Sequence, residues 1–209
     1  MGQNSFITNK KSSMLLVIVC TGVIVILQSF GLDAIELFRY ENTIFKTGEW
    51  WRLLSGHFIH LGWAHLVLNL AGMWIIVFIF HPLVKPMSLL VTTLLLATGT
   101  SLGLLLFSSE VVWYIGLSGI LHGFITMGAI VNFRSKTWLS ILLLAFITTK
   151  LLWEQFFADS STINVIISGK VIYNAHLYGA ITGILIITIF NLIFSFSHHF
   201  KFFLSDRKL

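Results

Sequence analysis

Six long apolar segments, separated by short polar stretches, constrain the fold of this chain more than any other feature. A helix of about 20 residues crosses the roughly 30 Å of hydrocarbon in a bilayer, where its backbone groups are all bonded internally. With 56% hydrophobic and 10% charged residues among 209, no length is left for a soluble domain. The sequence therefore predicts an all-α integral membrane protein of six spans, near Met14–Phe30, Ala64–Phe80, Ser88–Phe107, Ser118–Phe133, Trp138–Trp153 and Tyr173–Phe196.

These segments divide the chain into an N-terminal segment (1–13), a membrane domain (14–196) and a basic tail (197–209). Six spans place both termini on one side, and short cytoplasmic loops collect Lys and Arg. One side would hold Lys10, Lys11, Lys85, Arg134, Lys136, Lys201, Arg207 and Lys208, and the other Arg39, Lys46, Arg52, Lys150 and Lys170. We therefore expect cytoplasmic termini. A cleaved signal peptide is the alternative for the first segment, but no convincing small-residue cleavage site follows it.

The charge and the cysteine content exclude other classes of protein. The net charge is +5, but the basic residues lie at the ends of apolar segments, which is typical of membrane anchoring and not of nucleic-acid binding. The single cysteine, Cys20, lies inside an apolar segment and forms no disulfide framework. Neither a metal nor a cofactor is expected.

The first loop, Asp33–Trp63, mixes aromatic residues with basic ones. Such a mixture suits the headgroup layer of a membrane. The loop contains Trp50, Trp51, Phe58 and Trp63 beside Arg52, His57 and His60. An ordinary interfacial loop would explain this composition, but the length leaves room for a structured element.

The motif Gly116-Leu117-Ser118-Gly119 opens the fourth segment below the membrane surface. Counting from Ser118 to Phe133 gives 16 residues, or about 24 Å of helix against about 30 Å of hydrocarbon. The preceding Tyr114–Leu117 must then enter the membrane as non-helical chain, which requires surrounding protein or a water-filled cavity. Ser118 would otherwise serve simply as a helix N-cap.

A second motif, Ala175-His176-Leu177-Tyr178-Gly179, opens the last segment. A tilt of about 20–40° would bring His176 to the depth of the serine. Small residues one turn apart let helices approach closely, and both segments carry them, at Gly119-x-x-x-Gly123 and Gly179-x-x-x-Gly183. We therefore expect the two helices to touch.

A serine and a histidine in contact predict a nucleophile and its general base, because a serine hydroxyl reacts poorly until a base accepts its proton. The sequence shows no acid placed to orient His176, so a two-membered site is expected. His65 and Asn69, four residues apart on the second segment, share a helix face and are candidate donors to an oxyanion. Hydrogen bonds that merely join helices are the alternative for this pair.

These residues resemble the rhomboid intramembrane serine proteases. The matching pieces are Trp51-Arg52, His60, His65 and Asn69, Gly116-Leu117-Ser118-Gly119, and His176 with Gly179 and Gly183. Within the family, the segment IGLSGILHG is most similar to the rhombosortase branch. These are bacterial proteins thought to process substrates with a C-terminal tail of Gly-Gly and a membrane helix.

The resemblance implies that Ser118 is the nucleophile and His176 the base. It adds the backbone N–H of Ser118 or Leu117 to the oxyanion donors, and it gives Trp51-Arg52 a role in stabilising the first loop. The fifth helix and the loop before Tyr173 would form a gate, with Trp153, Phe156 and Phe157 as its apolar surface.

The resemblance also implies a substrate and a place. The substrate would be a single-span membrane protein, cleaved near the outer membrane boundary by hydrolysis or by transfer to an amine. The chain would lie in a bacterial inner membrane, with its active site open to the periplasm.

His122 departs from the family pattern, which often has Tyr or Phe four residues after the serine. It shares a helix face with Ser118, and we expect it to stack on His176 or to contact substrate. A competing role as base stays open, since helical side chains point towards the N-terminus.

Two other classes remain. A cytochrome-like redox protein could use His57, His60, His65, His122 and His176 as ligands, although the H-E-x-x-H motif is absent. A catalytically silent relative would bind membrane helices on the same fold, but it would not need both Ser118 and His176.

Overall fold

The computed structural model describes residues 3–80, 86–157, 161–167 and 169–195. Its helices are α1 (Gln3–Ser29), α2 (Gly31–Phe38), α3 (Ile44–Thr47), α4 (Arg52–Ser55), α5 (Trp63–Phe80), α6 (Pro86–Phe107), α7 (Ser118–Val131), α8 (Thr137–Phe156), α9 (Ser161–Ile167) and α10 (Tyr173–Ser195). A 3-10 helix covers Gly56–Phe58, and two short strands are β1 (Tyr40–Glu41) and β2 (Trp113–Tyr114).

Five of the described helices are long and apolar enough to cross a membrane. They are α5, α6, α8, α10 and the Lys11–Ser29 part of α1. The sixth predicted span, α7, is apolar but has only 14 residues, or about 21 Å of helix. Length and composition thus establish five candidate spans, and the six-span count stays a prediction.

The predicted segments agree closely with the helices, except at the N-terminus. α1 begins at Gln3 and not at Met14, so the predicted boundary between residues 13 and 14 falls inside a helix. The first turns of α1 contain polar residues. Hydropathy identifies only the apolar part of a helix, so it could not predict where this helix begins. Phe196 and the basic tail 197–209 lie outside the described residues.

α7 lies at the centre of the bundle, in contact with α5, α6, α8 and α10. Its apolar side chains and those of α5 and α6 form a buried cluster that includes Leu96, Leu117 and Ile120. Central placement explains how α7 can be short, because protein and not lipid surrounds its ends.

The first loop is structured around Arg52, whose side chain is buried. Its guanidinium donates to the backbone carbonyls of Glu36 and Arg39 at 2.9 and 3.0 Å and to the Glu49 carboxylate at 3.0 and 3.1 Å. The Arg52 hydrogen bond holds the pKa of Glu49 below its ordinary value. Trp51 donates its indole N–H to a carbonyl of α2 at 3.4 Å. These contacts fit the stabilising role that the resemblance implies for Trp51-Arg52.

The all-α prediction missed a small sheet that joins the first loop to the chain entering α7. β1 and β2 are antiparallel, with Tyr40 opposite Tyr114. Beside them, the Gly116 N–H donates to the Gly56 carbonyl at 3.0 Å. A Cβ at Gly56 would lie 3.0 Å from the Tyr114 carbonyl oxygen, so the glycine permits this close packing. The first loop thereby holds the segment that leads to Ser118.

Candidate active site

The chain reaches Ser118 through a non-helical segment, as predicted. Gly116 has a φ of 123°, which favours glycine, and a Cβ there would lie 2.9 Å from two atoms of the His65 ring. The Tyr114 hydroxyl donates to the Gly116 carbonyl at 2.5 Å and accepts from the Gly119 N–H at 3.4 Å. This turn fixes the direction in which the Ser118 side chain points.

The Ser118 hydroxyl bonds to His176 and does not cap its helix. The Oγ to Nε2 distance is 2.8 Å, and Leu117 occupies the cap position without a side-chain bond. The predicted contact between the two side chains is therefore present.

Glycines allow this contact by letting α7 and α10 touch. A Cβ at Gly179 would overlap the carbonyl oxygen of Gly119, and one at Gly183 would lie 2.7 Å from that of Gly123. The close approach predicted from the two small-residue motifs is confirmed.

The expectation that no acid orients His176 is wrong. Glu154 of α8 places Oε2 2.9 Å from Nδ1 of His176, and both side chains are only 8% exposed. A carboxylate accepts here, so Nδ1 carries the proton and Nε2 is left to accept from the Ser118 hydroxyl. The site thus contains three side chains in series where two were expected.

Sequence reasoning also missed Lys150, which lies one helical turn before Glu154 and forms an ion pair with it. From the sequence, Lys150 is placed only among the basic residues on the side opposite the termini. The available signal was a Lys and a Glu four residues apart within an apolar helix, where charged residues face the protein interior and are usually functional.

His122 stacks on His176, as predicted, with ring centroids 4.1 Å apart and planes 7° from parallel. Its Nε2 lies 3.0 Å from Nζ of Lys150, and its Nδ1 lies 2.7 Å from the Ser118 carbonyl oxygen. An ammonium only donates, so Nε2 accepts and Nδ1–H donates to the carbonyl. Both ring nitrogens are therefore engaged away from the Ser118 hydroxyl.

His65 and Asn69 lie on the inner face of α5 and are both buried. Nδ1 of His65 accepts the Leu61 N–H at 3.4 Å, which leaves the proton on Nε2, one of the two ring atoms beside Gly116. Asn69 donates to the His65 carbonyl at 3.1 Å. Both residues line a cavity of about 350 Å³ that also contains Ser118 and His176, and this is the cavity that the short α7 predicts.

Three ligand atoms in the cavity lie within metal-binding range. Those of His122, Glu154 and His176 are all within 4.8 Å of one another. The Lys150 ammonium already bonds to two of these residues, so a metal ion would have to displace it.

Several predicted residues lie away from the cavity. Trp51 and Arg52 belong to the first loop, and Trp153, Phe156 and Phe157 are exposed at the end of α8. His57 bonds to Ser101 at 3.0 Å, and His60 packs edge-on against His65. Burial lowers the pKa of His57 to about 4 and that of His60 to about 3, so both are neutral near pH 7.

Several long apolar helices surround a short one whose first residue is a serine bonded to a histidine, and the long apolar helices indicate an integral membrane protein. A Rhomboid domain matches residues 47–192. The chain therefore belongs to the rhomboid family, and this membership indicates an intramembrane protease. Rhomboid proteases act on transmembrane substrates within the bilayer.

One curated relative adds a partial match. Rhomboid protease GluP of Bacillus subtilis (strain 168) is 47% identical to this chain over 34 residues, which cover 16% of the chain and 7% of the relative. So short a match agrees with the family, but the relative's activity as a whole protein does not transfer from it.

Proposed function

We propose that this protein is an active intramembrane serine protease in which Ser118 attacks the scissile carbonyl and His176 acts as general base. The observation that carries the proposal is the 2.8 Å contact between Ser118 Oγ and His176 Nε2 inside a cavity. Hydrogen-bond distance between nucleophile and base is the geometry that acyl transfer requires.

The oxyanion would form beside donors on two elements. These are the backbone N–H of Ser118 or Leu117, the Nε2–H of His65 and the amide of Asn69. The Leu61 N–H supports this role for His65, because it fixes the tautomer that donates from Nε2. Such donors are most effective where bulk water is excluded.

We propose a single-span membrane protein as the substrate and place the protein in the rhombosortase branch, whose substrates would carry Gly-Gly before a C-terminal helix. A volume of about 350 Å³ is at the small end of ligand pockets, which favours residues without bulky side chains beside the scissile bond. Water from the outer side would hydrolyse the acyl-enzyme. An amine in place of water would receive the acyl group instead.

We propose that the chain crosses a bacterial inner membrane six times. Both termini would lie in the cytoplasm, and the cavity would face the periplasm. This arrangement takes the membrane domain as residues 14–196 and the tail as 197–209. The entry of the chain into α7 supports one part of it, the placing of the cavity on the side of the first loop, because that loop holds the non-helical segment before Ser118. No nucleic acid or cofactor takes part in this proposal.

A silent helix-binding relative is the principal alternative, since it would share the fold. The bond between Ser118 and His176 favours an enzyme over it. Haem ligation by His122 and His176 together is disfavoured, because their rings stack directly at 4.1 Å and leave no space for a porphyrin between them.

The test is co-expression with a reporter that ends in Gly-Gly, a membrane helix and a basic tail. We expect wild-type protein to release the reporter and Ser118→Ala to leave it intact, with mass spectrometry locating the new C-terminus. A Ser118→Ala protein that releases the reporter as wild type does would refute the proposed nucleophile. Wild-type protein that leaves the Gly-Gly reporter intact but cleaves another single-span protein would refute only the branch assignment.

A further inference from the structure

Two charged side chains of α8 face the inside of the bundle at the depth of the cavity. Ile147, Lys150 and Glu154 follow one another at intervals of three and four residues and all line the cavity, so they share one helix face. Elsewhere on α8, apolar side chains such as Leu142 and Trp153 are exposed. Charged side chains within a membrane are costly unless they are paired, and they commonly mark a functional site.

The two charges belong to a closed ring of contacts around the proposed nucleophile. Ser118 Oγ contacts His176, whose Nδ1 contacts Glu154 at 2.9 Å. Glu154 pairs with Lys150, which contacts Nε2 of His122 at 3.0 Å. His122 Nδ1 returns to the Ser118 carbonyl oxygen at 2.7 Å. Every member therefore has a partner on each side.

Other carboxylates of the described residues make different contacts. Glu41 and Glu49 pair with Arg39 and Arg52 in the first loop. A carboxylate oxygen of Glu154 contacts Nδ1 of His176, while the other ring nitrogen, Nε2, contacts Ser118. Within the part of the chain that the structure describes, this contact has the order of a serine, histidine and acid triad.

We propose, building on the proposed protease function, that Glu154 is the positioning residue of a Ser118–His176–Glu154 triad and that Lys150 holds its carboxylate in place. Glu154 keeps the proton of neutral His176 on Nδ1, so that the Nε2 lone pair faces Ser118. As the Ser118 Oγ–C bond forms, the hydroxyl proton moves to Nε2, and the ionised Glu154 balances the imidazolium charge. The proton then passes to the leaving amine as the C–N bond breaks, and Glu154 itself gains none.

Lys150 has a second task in this arrangement. Because it donates to His122 Nε2, it keeps that ring in the orientation that stacks on His176. Lys150 thus holds both the Glu154 carboxylate and the His122 ring that stacks on the base. These two contacts explain the presence of an ammonium group within α8.

The test compares Glu154→Gln with Glu36→Gln, which makes the same chemical change on the exposed side of α2. Loss of the orienting carboxylate lowers turnover by about 10⁴-fold in a comparable triad. We expect Glu154→Gln to lower kcat on a single-span substrate by such a factor with little change in KM, and Glu36→Gln to match wild type. Nitrogen-15 NMR of labelled histidines, with His176 assigned by its loss in His176→Gln, should show Nδ1 protonated in the wild type.

Wild-type kcat in Glu154→Gln, or a His176 protonated at Nε2 in the wild-type protein, would overturn the triad. If Glu154→Gln does not fold, Glu154→Asp keeps the charge but shortens the reach, and we expect the same selective fall in kcat; unchanged kcat in that variant would also overturn the proposal. Failure of the protease function is distinguishable, because wild type would then be no more active than Ser118→Ala while the NMR measurement would still report on Glu154.

Discussion

His122 replaces the aromatic residue that the family often carries four positions after the serine, and its contacts account for the exchange. The imidazole stacks on His176 as a phenyl ring would. It also bonds to Lys150 and to the Ser118 carbonyl, which a phenyl ring could not do. The residue therefore combines support for the histidine with a polar contact to α8.

Replacing His122 separates these two contributions. His122→Phe keeps the stacking surface and loses two hydrogen bonds, which are worth about 0.5–1.5 kcal/mol each, so we expect the initial cleavage rate to fall by about 5- to 150-fold. His122→Ala removes the stacking as well, so we expect its initial cleavage rate to be lower still. Rates measured on one purified substrate check the order. A His122→Phe rate as low as that of Ser118→Ala would mean that His122 itself transfers a proton.

The residues that sequence predicted are those whose role follows from a local motif. Ser118 and His176 begin apolar segments beside glycines, and these signals need no knowledge of the fold. Glu154 could not be assigned in this way, because its partner lies 22 positions away on another helix and only packing shows which way it faces. Its spacing of four residues from Lys150 is a local signal in the sequence, but that spacing alone predicts only an ion pair along one helix face.

At the level of elements, the contact between α7 and α10 controls the geometry of the site. Gly119 and Gly179 face each other so closely that the backbone of one helix occupies the space of a side chain on the other. Ser118 and His176 each lie within a few residues of this contact. Their separation therefore depends on how closely the two helices approach.

A methyl group at this contact should disable the site. Gly179→Ala places a Cβ onto the Gly119 carbonyl oxygen, so the helices must separate, at a cost of about 1–3 kcal/mol. We expect a lower melting temperature in detergent and a large loss of cleavage. Gly22→Ala is the matched control, since nothing lies within 4 Å of a Cβ there, and it should retain both properties. Wild-type activity in Gly179→Ala would show that the close approach is not required.

Element boundaries followed from the sequence to different degrees. The long helices were predictable because lipid requires long apolar segments. The strands β1 and β2 have two residues each, too few to show a period of two, and they exist because the first loop packs against the chain before α7. Such pairing depends on tertiary contacts that no local pattern contains.

The whole molecule is built as a short central helix enclosed by longer ones. α7 has 14 residues, while the five candidate spans have 18 to 22, and the difference leaves room for a cavity at one end of α7. We propose that α8, with exposed Trp153, Phe156 and Phe157 at its end, forms the movable side of that cavity. Because Glu154 lies on the same helix, movement there would also shift the acid beside His176.

Labelling of the purified protein in detergent with a fluorophosphonate, followed by peptide mass spectrometry, tests whether Ser118 is an activated nucleophile. A serine activated by a neighbouring histidine reacts with this reagent, whereas an ordinary helix-terminal serine does not. We expect one adduct on Ser118, absent from Ser118→Ala and strongly reduced in His176→Gln. A folded wild-type protein that stays unlabelled, or a label that persists in Ser118→Ala, would contradict the account.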